Sequence, residues 1–244
     1  MQALIIEIKT QSSTFRNPDF QNFHKSYQLP PPTTLVGLAG AALGLSPMKS
    51  QEFFEAENWE IGVYGESKGK GKDLWKFTKN VGKRQENVNQ RGAVDILTKE
   101  ILFYNTFIVV FACDCVDKIE ELKVAFEYPK YALTLGNSDS IAKVLNVEIS
   151  NSFTTSINVK NCLLDGEIIT EVIDNMDNGL EFSIYNTSEP IAFDLPIRFK
   201  YESDYGIRRI VKRKKISFIG KEMKLNIEKK GVLYNNIFIP LFNY

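Results

Sequence analysis

The stretch from Phe15 to Leu45 carries the residue types best suited to chemistry, and that chemistry is the holding of an anion. Pro30, Pro31 and Pro32 fix φ near about −65° and keep the chain extended, so a helix can start only at the end of the run, with Thr33 or Thr34 as its cap. Inside that helix, Gly37, Gly40 and Gly44 alternate with Ala39, Ala41 and Ala42, a pattern chosen for close approach to a neighbouring sheet. Its N-terminus is expected to present free backbone N–H groups to a phosphate.

Other reactive types exclude more than they allow. Cys113 and Cys115, one residue apart, would share a face of a strand, but Cys162 is the only further cysteine and His24 the only histidine. A tetrahedral metal site cannot be completed, and these are read as structural strand cysteines. A single imidazole also excludes mechanisms that need two. Lys68-Gly-Lys-Gly-Lys72 lacks the spacing of a phosphate-binding P-loop and reads as a flexible entry to a basic insert. No Ser-His-Asp arrangement or nucleotide fingerprint stands out, and the acids of residues 165–189 suit exposed strand and turn positions. No metal and no cofactor is expected.

The chain of 244 residues, 43% hydrophobic and 25% charged, has the composition of an ordinary folded protein. Its start alternates like a strand, and its longest apolar run, Phe107 to Cys113, is too short to span a bilayer; a cytoplasmic location with no membrane partner is expected. The formal net charge is zero but segregated. Residues 68–92 carry a net +6 and residues 198–224 a net +7, whereas residues 161–197 hold eight acids and no Lys or Arg. Local charge sets the field at a surface, so two basic patches remain candidates for nucleic acid.

The elements that must position these residues follow from periodicity. Strand signals cover Ala3 to Lys9, Trp59 to Tyr64, Ile101 to Ala112, Val144 to Ile149, Ser156 to Val159, Glu167 to Ile173, Leu180 to Ile184, Ile207 to Lys212, Lys214 to Phe218 and Gly231 to Ile239. Helix signals cover Thr34 to Gly44, a second turn near Ser50 to Glu55, Lys118 to Tyr128, and a short helix capped near Asn137, Ser138 or Asp139. Asp165-Gly166 and Asn178-Gly179 are hairpin turns. The order predicts an α+β protein. A ferredoxin-like, RRM-like half (residues 1–145) with a basic insert at residues 66–100 precedes a mainly antiparallel β region (residues 146–244).

Two separated segments carry a family resemblance. The N-terminal strand followed by Ser13-Thr-Phe-Arg-Asn-Pro18 and Leu29-Pro-Pro-Pro-Thr-Thr-Leu-Val-Gly-Leu-Ala-Gly-Ala-Ala-Leu-Gly44 is the first; Tyr128-Pro129 with Leu135-Gly136-Asn137-Ser138-Asp139-Ser140-Ile141-Ala142 is the second. Together they resemble the Cas-five subunit of type I CRISPR surveillance complexes (Cascade), within the RAMP superfamily and of type I-B-like character. Asn137 stands where that family commonly has arginine, which removes one potential phosphate-binding charge.

The resemblance implies a non-catalytic, CRISPR RNA-binding subunit of an antiviral complex that holds the repeat-derived 5′ handle of the guide and caps the backbone. Partners would be the CRISPR RNA, the backbone subunit and the large subunit, with target DNA nearby. In that family the insert is a thumb-like hairpin against the RNA. Lys76, Lys79, Lys83 and Arg84 would neutralise phosphates there, and Trp75 would either anchor the insert or stack on a base. Arg16 and Asn17 beside the Thr33, Thr34 and Gly37 helix, and Gly136, Asn137 and Ser138, form the expected handle pocket. Arg208, Arg209, Lys212, Arg213, Lys214 and Lys215 would follow RNA or face a neighbouring subunit. Some relatives cut precursor RNA by metal-independent 2′-hydroxyl attack using Tyr, Lys and His, so His24, Lys25 and Tyr27 define an alternative endoribonuclease reading. A generic β-rich interaction module is the second alternative.

Overall fold

The computed structural model describes residues 1–78, 94–168 and 190–244. Strand β1 (Gln2–Ser13) contains the run Ala3-Leu4-Ile5-Ile6, apolar at consecutive positions, and it is buried on both faces. Short strands β2 (Phe15–Arg16), β3 (Phe23–His24) and β4 (Ser26–Tyr27) follow, then helices α1 (Pro32–Leu43) and α2 (Pro47–Glu55). Two long strands, β5 (Glu60–Thr78) and β6 (Val94–Cys113), pair antiparallel in unbroken sequence order from Glu60↔Ala112 to Thr78↔Val94. Helix α3 (Val116–Glu127) and strand β7 (Ala142–Ser150) complete a βαββαβ order. The sheet order β5-β6-β1-β7 is the ferredoxin-like arrangement, with β1 antiparallel to both neighbours.

The remaining strands are β8 (Thr154–Val159), β9 (Cys162–Asp165), β10 (Ile191–Tyr201), β11 (Arg208–Ile219), β12 (Met223–Tyr234), β13 (Ile237–Pro240) and β14 (Phe242–Asn243). Strands β9, β11 and β10 extend the main sheet beyond β5, while β13, β12 and β8 form a second sheet. Leu4, Ile6 and Ile8 on one face of β1 pack with Leu35, Leu38, Ile119 and Phe126 of the helices. Ala3 and Ile5 on the other face pack with Val232, Tyr234 and Ile239 of the second sheet. Burial of each such Leu, Ile or Phe contributes about 1.5–3 kcal/mol, so β1 is fixed from both sides. None of the described helices is long and apolar enough to cross a membrane.

Several expectations are corrected. Helix α1 begins at Pro32 with Pro31 as N-cap and no side-chain cap, so Thr33 and Thr34 lie in its first turn. Proline has no N–H, and the Thr34 N–H donates to the Pro31 carbonyl at 2.9 Å, so the helix offers little to an anion. Gly40 makes its close approach to Ser50 of α2, not to a sheet. No helix forms at 137–140: the Ser140 N–H bonds the Asn137 carbonyl at 3.0 Å in a turn closed by the Thr134↔Ile141 bridge. Cys113 ends β6, but Cys115 is the N-cap of α3. Residues 207–218 hold one strand, because Lys212-Arg213-Lys214 offers no turn-forming residue. The Gly231–Ile239 signal is a hairpin, turning at Asn235 and Asn236, both at positive φ. Glu167 and Ile168 are outside any strand, and the strands at Cys162–Asp165 and Ile191–Tyr201 were absent from the periodicity reading. Pro196 is tolerated within β10 because β10 is an edge strand. Leu180 to Ile184 and the Asn178-Gly179 turn lie outside the described residues.

Gly136 sits at φ +108°, and a Cβ there would collide with the Thr14 backbone. Gly37 has open space around it. Gly136→Ala is expected to destabilise the protein by at least about 2 kcal/mol in urea unfolding, whereas Gly37→Ala should stabilise it by about 0.5–1 kcal/mol. Equal effects of the two substitutions would contradict the placement of the 136–140 loop.

Candidate nucleic-acid interface

Where β1 ends at Ser13, the chain folds back over the base of the long hairpin. Phe15 pairs with Tyr27 and Arg16 with Ser26, and β3 then lies parallel to β6 with Phe23 opposite Thr98 and His24 opposite Lys99. The Ser26 N–H donates to Glu100 Oε2 at 2.9 Å, tying this loop to β6. Asn17 is buried: its N–H donates to the Lys25 carbonyl at 2.8 Å, and its Oδ1 accepts from the Asp19 N–H at 3.0 Å and the Tyr27 hydroxyl at 3.3 Å. The Tyr27 ring packs 4.8 Å from Phe193 and 5.0 Å from Phe218, and burial pushes its phenol up to about 12.

Strands β3, β6 and β5 therefore lie side by side, and the pairings align His24 with Lys99 and Lys99 with Asp73. Trp75, two residues beyond Asp73, shares its face because strand side chains repeat every second position. The Lys99 ammonium lies 5.4 Å from the centre of the Trp75 ring, and the His24 ring 6.5 Å from it. The opposite wall is the 136–140 loop, packed on Thr14 through Gly136. A cavity of about 330 Å³ results, lined by Ser12, Ser13 and Thr14, by Asp73, Trp75, Lys99 and Ile101, and by Asn137 through Ser140. Burial, then the Arg16 guanidinium, then the Lys99 ammonium hold His24 below its ordinary pKa of 6.5. Burial also lowers Lys99 against the opposing pull of Asp139 and Asp73.

The structure gathers some predicted residues and separates others. Arg16 is exposed beside His24, Asn137 and Ser138 line the cavity, and Gly136 positions them. Asn17 supports the loop from inside and offers no free amide oxygen. Thr33 and Gly37 line a different groove, of about 520 Å³, with Tyr131, Phe199, Tyr205 and Arg208; Thr34 lines neither. Lys76 is exposed on β5, and Lys79, Lys83 and Arg84 lie outside the described residues. Lys25 and Tyr27 line one cavity of about 800 Å³ with Asn17, Lys70 and Glu100, but His24 is not among its lining residues; the Tyr27 hydroxyl donates to Asn17, and Lys25 reaches over the Phe20 ring at 5.0 Å. Successive side chains of an extended segment point to different sides, which sets His24 apart from Lys25.

The basic cluster of β11 is largely neutralised. Lys214 pairs with Asp165 at 3.0 Å, Lys215 with Glu167 at 2.8 Å, Arg213 with Asp194 at 3.9 Å and Arg209 with Glu202 at 3.7 Å. Arg208 lies over the Phe199 ring at 4.5 Å, which leaves its charge in place, so Arg208 and Lys212 have no acidic partner among the described residues. Sequence reasoning missed Lys99, Asp73, Asp139 and Thr14 as site residues. The register of β5 on β6 brings Asp73 to Lys99, and the packing of the 136–140 loop on Thr14 adds Asp139 and Thr14; no local motif encodes either. Among the described residues no group of His, Cys, Asp and Glu is arranged to hold a metal.

Residues 3–211 match the family described as "CRISPR-associated protein (Cas_Cas5)". No curated protein sequence matches the chain. Among solved structures, a chain described as "CRISPR RNA-guided surveillance complex" is 12% identical, with 91% of each chain covered and a TM-score of 0.53. A CRISPR protein from Archaeoglobus fulgidus is 13% identical, with 98% of this chain and 99% of that chain covered and a TM-score of 0.45. The first likeness shows that the fold is shared.

His24 gives a direct reading of the interface. Because its folded pKa is depressed, it contributes stability that is present above pH 6.5 and is lost as pH falls through the folded value. A titration of its ring protons by NMR should give a midpoint below 6.5, shifted upward in Arg16→Gln. A midpoint at or above 6.5 would contradict its place beside Arg16 and Lys99.

Proposed function

The chain belongs to the Cas5 family of CRISPR-associated proteins, and we propose that it is a non-catalytic subunit of an RNA-guided effector complex that holds the single-stranded 5′ handle of the guide RNA. The observation that carries this reading is the gathering of Trp75, Lys99, His24 and the 136–140 loop at the base of one hairpin, with Arg16 beside them. A single strand of RNA is held by cations that follow its phosphates and by aromatic faces that take its bases. Arg16, Lys25, Lys72 and Lys76 are exposed and form no ion pair among the described residues, in contrast to the paired cations of β11, with Lys72 and Lys76 on the face of β5 opposite to Trp75. Phosphates therefore run along the hairpin base and not along β11. The backbone and large subunits of the complex flank the handle.

Holding is favoured over cutting because His24 does not share the cavity that Lys25 and Tyr27 line. Tyr27 is engaged internally and stays protonated far above neutrality, so it supplies neither a base nor a mobile proton.

Filter binding of uncut repeat RNA without metal tests the reading. Neutralising three or four phosphates should give a slope of log affinity against log salt of about −2 to −3, and Arg16→Gln should reduce its magnitude by about 0.7. The RNA should remain intact on a gel. A salt-independent affinity would contradict the reading, and site-specific cleavage lost in His24→Ala would replace it with the nuclease.

A further inference from the structure

We propose that the cavity between Trp75, Lys99 and the 137–140 loop receives one unstacked guanine base of the bound RNA, resting on the RNA-holding reading above. The pocket is built, not incidental. Lys99 is 8% exposed and Thr14 is 5% exposed, and the Thr14 Oγ1 is buried with no hydrogen-bond partner among the described residues. A buried hydroxyl without a partner costs free energy that a ligand atom recovers. Trp75 remains 49% exposed, which leaves ring surface for a base to stack on.

The charges select a base over a phosphate. Lys99 faces two carboxylates, Asp73 opposite it on β5 and Asp139 on the loop, so the interior balance of these three groups is negative. A phosphate would meet those carboxylates, whereas Arg16 and Lys72 outside have none paired to them among the described residues. The donor and acceptor pattern then selects among bases. A carboxylate accepts two adjacent donors and an ammonium donates to a carbonyl. The Watson–Crick edge of guanine offers N1–H and the N2 amino group side by side, with O6 next to them. Adenine and cytosine offer one amino donor beside a ring-nitrogen acceptor, and uracil offers one donor between two carbonyls. Guanine alone satisfies a carboxylate and an ammonium with three adjacent groups.

The test is fluorescence anisotropy of the full-length protein with labelled twelve-nucleotide uridine RNA, either unmodified or carrying one central G, A or C. A single G should tighten binding about tenfold, the scale of a bidentate base contact, and A or C should not. Asp139→Asn and Asp73→Asn, both at exposed side chains, should each reduce the ratio of affinity for the G-containing RNA to that for uridine RNA. Equal affinity for the four RNAs, a preference for another base, or a G preference that survives both substitutions would overturn the pocket assignment. In each of those cases salt-dependent binding of uridine RNA keeps the RNA-holding reading intact. Binding of none of the RNAs would remove that reading and the pocket together.

Discussion

Everything at the interface depends on β6 changing partners. From Leu102 to Ala112 this strand lies between β5 and β1, and its side chains from Phe107 to Cys113 are among the most buried in the protein. β1 departs at Ser13, and the place it vacates is taken by β3, which meets Thr98 and Lys99 in the parallel sense. A strand fixed at one end by a two-sided core thus carries its register outward, residue by residue, into a solvent-facing hairpin. A slip of one position would turn Lys99, Asp73 and Trp75 to the other face. The Ser26 N–H bond to Glu100 and the packing of Gly136 on Thr14 hold the two walls against that strand.

Charge is organised by the same folding. In sequence the acids of residues 161–197 stand apart from the cations of residues 198–224, yet Asp165, Glu167 and Asp194 come to lie against Lys214, Lys215 and Arg213. Exposed pairs of this kind are each worth about 0–1 kcal/mol, so their effect is less on stability than on the field they cancel. Arg16, Lys25, Lys72 and Lys76 keep their charge available near the hairpin base. A protein of zero formal net charge can therefore present unpaired cations to an anionic partner. At the cavity the balance reverses, with Lys99 facing Asp73 and Asp139; in the proposed reading this separates the phosphates from a base edge.

Much of the architecture was legible in the chain. The alternation and apolar runs located β1, α1, α3 and the cores of β5 and β6, and their order was enough for the ferredoxin-like class. Residues governed by pairing partners were less legible. Lys212-Arg213-Lys214 read as a break although the strand runs through it, and Pro196 sits in a strand that tolerates it only as an edge. At the site, Asn137 and Ser138 were legible as a small-residue loop and Arg16 as a nearby cation. For Asn17 and Tyr27 the sequence does not reveal that their polar atoms bond each other. The prolines that suggested an anion-binding helix start are what remove its donors. Lys99 and Asp73 could not be paired without a register that spans 26 positions of sequence.

The central claim is that RNA lies on the hairpin base against Trp75. The chain has two tryptophans, Trp59, which is 2% exposed in the core, and Trp75, which is 49% exposed at the cavity. A two-dimensional NMR spectrum of the indole N–H groups during titration with repeat RNA therefore contains its own control. The account predicts that the Trp75 signal shifts with saturation while the Trp59 signal stays in place. Saturable binding of RNA that leaves both signals unmoved would contradict it.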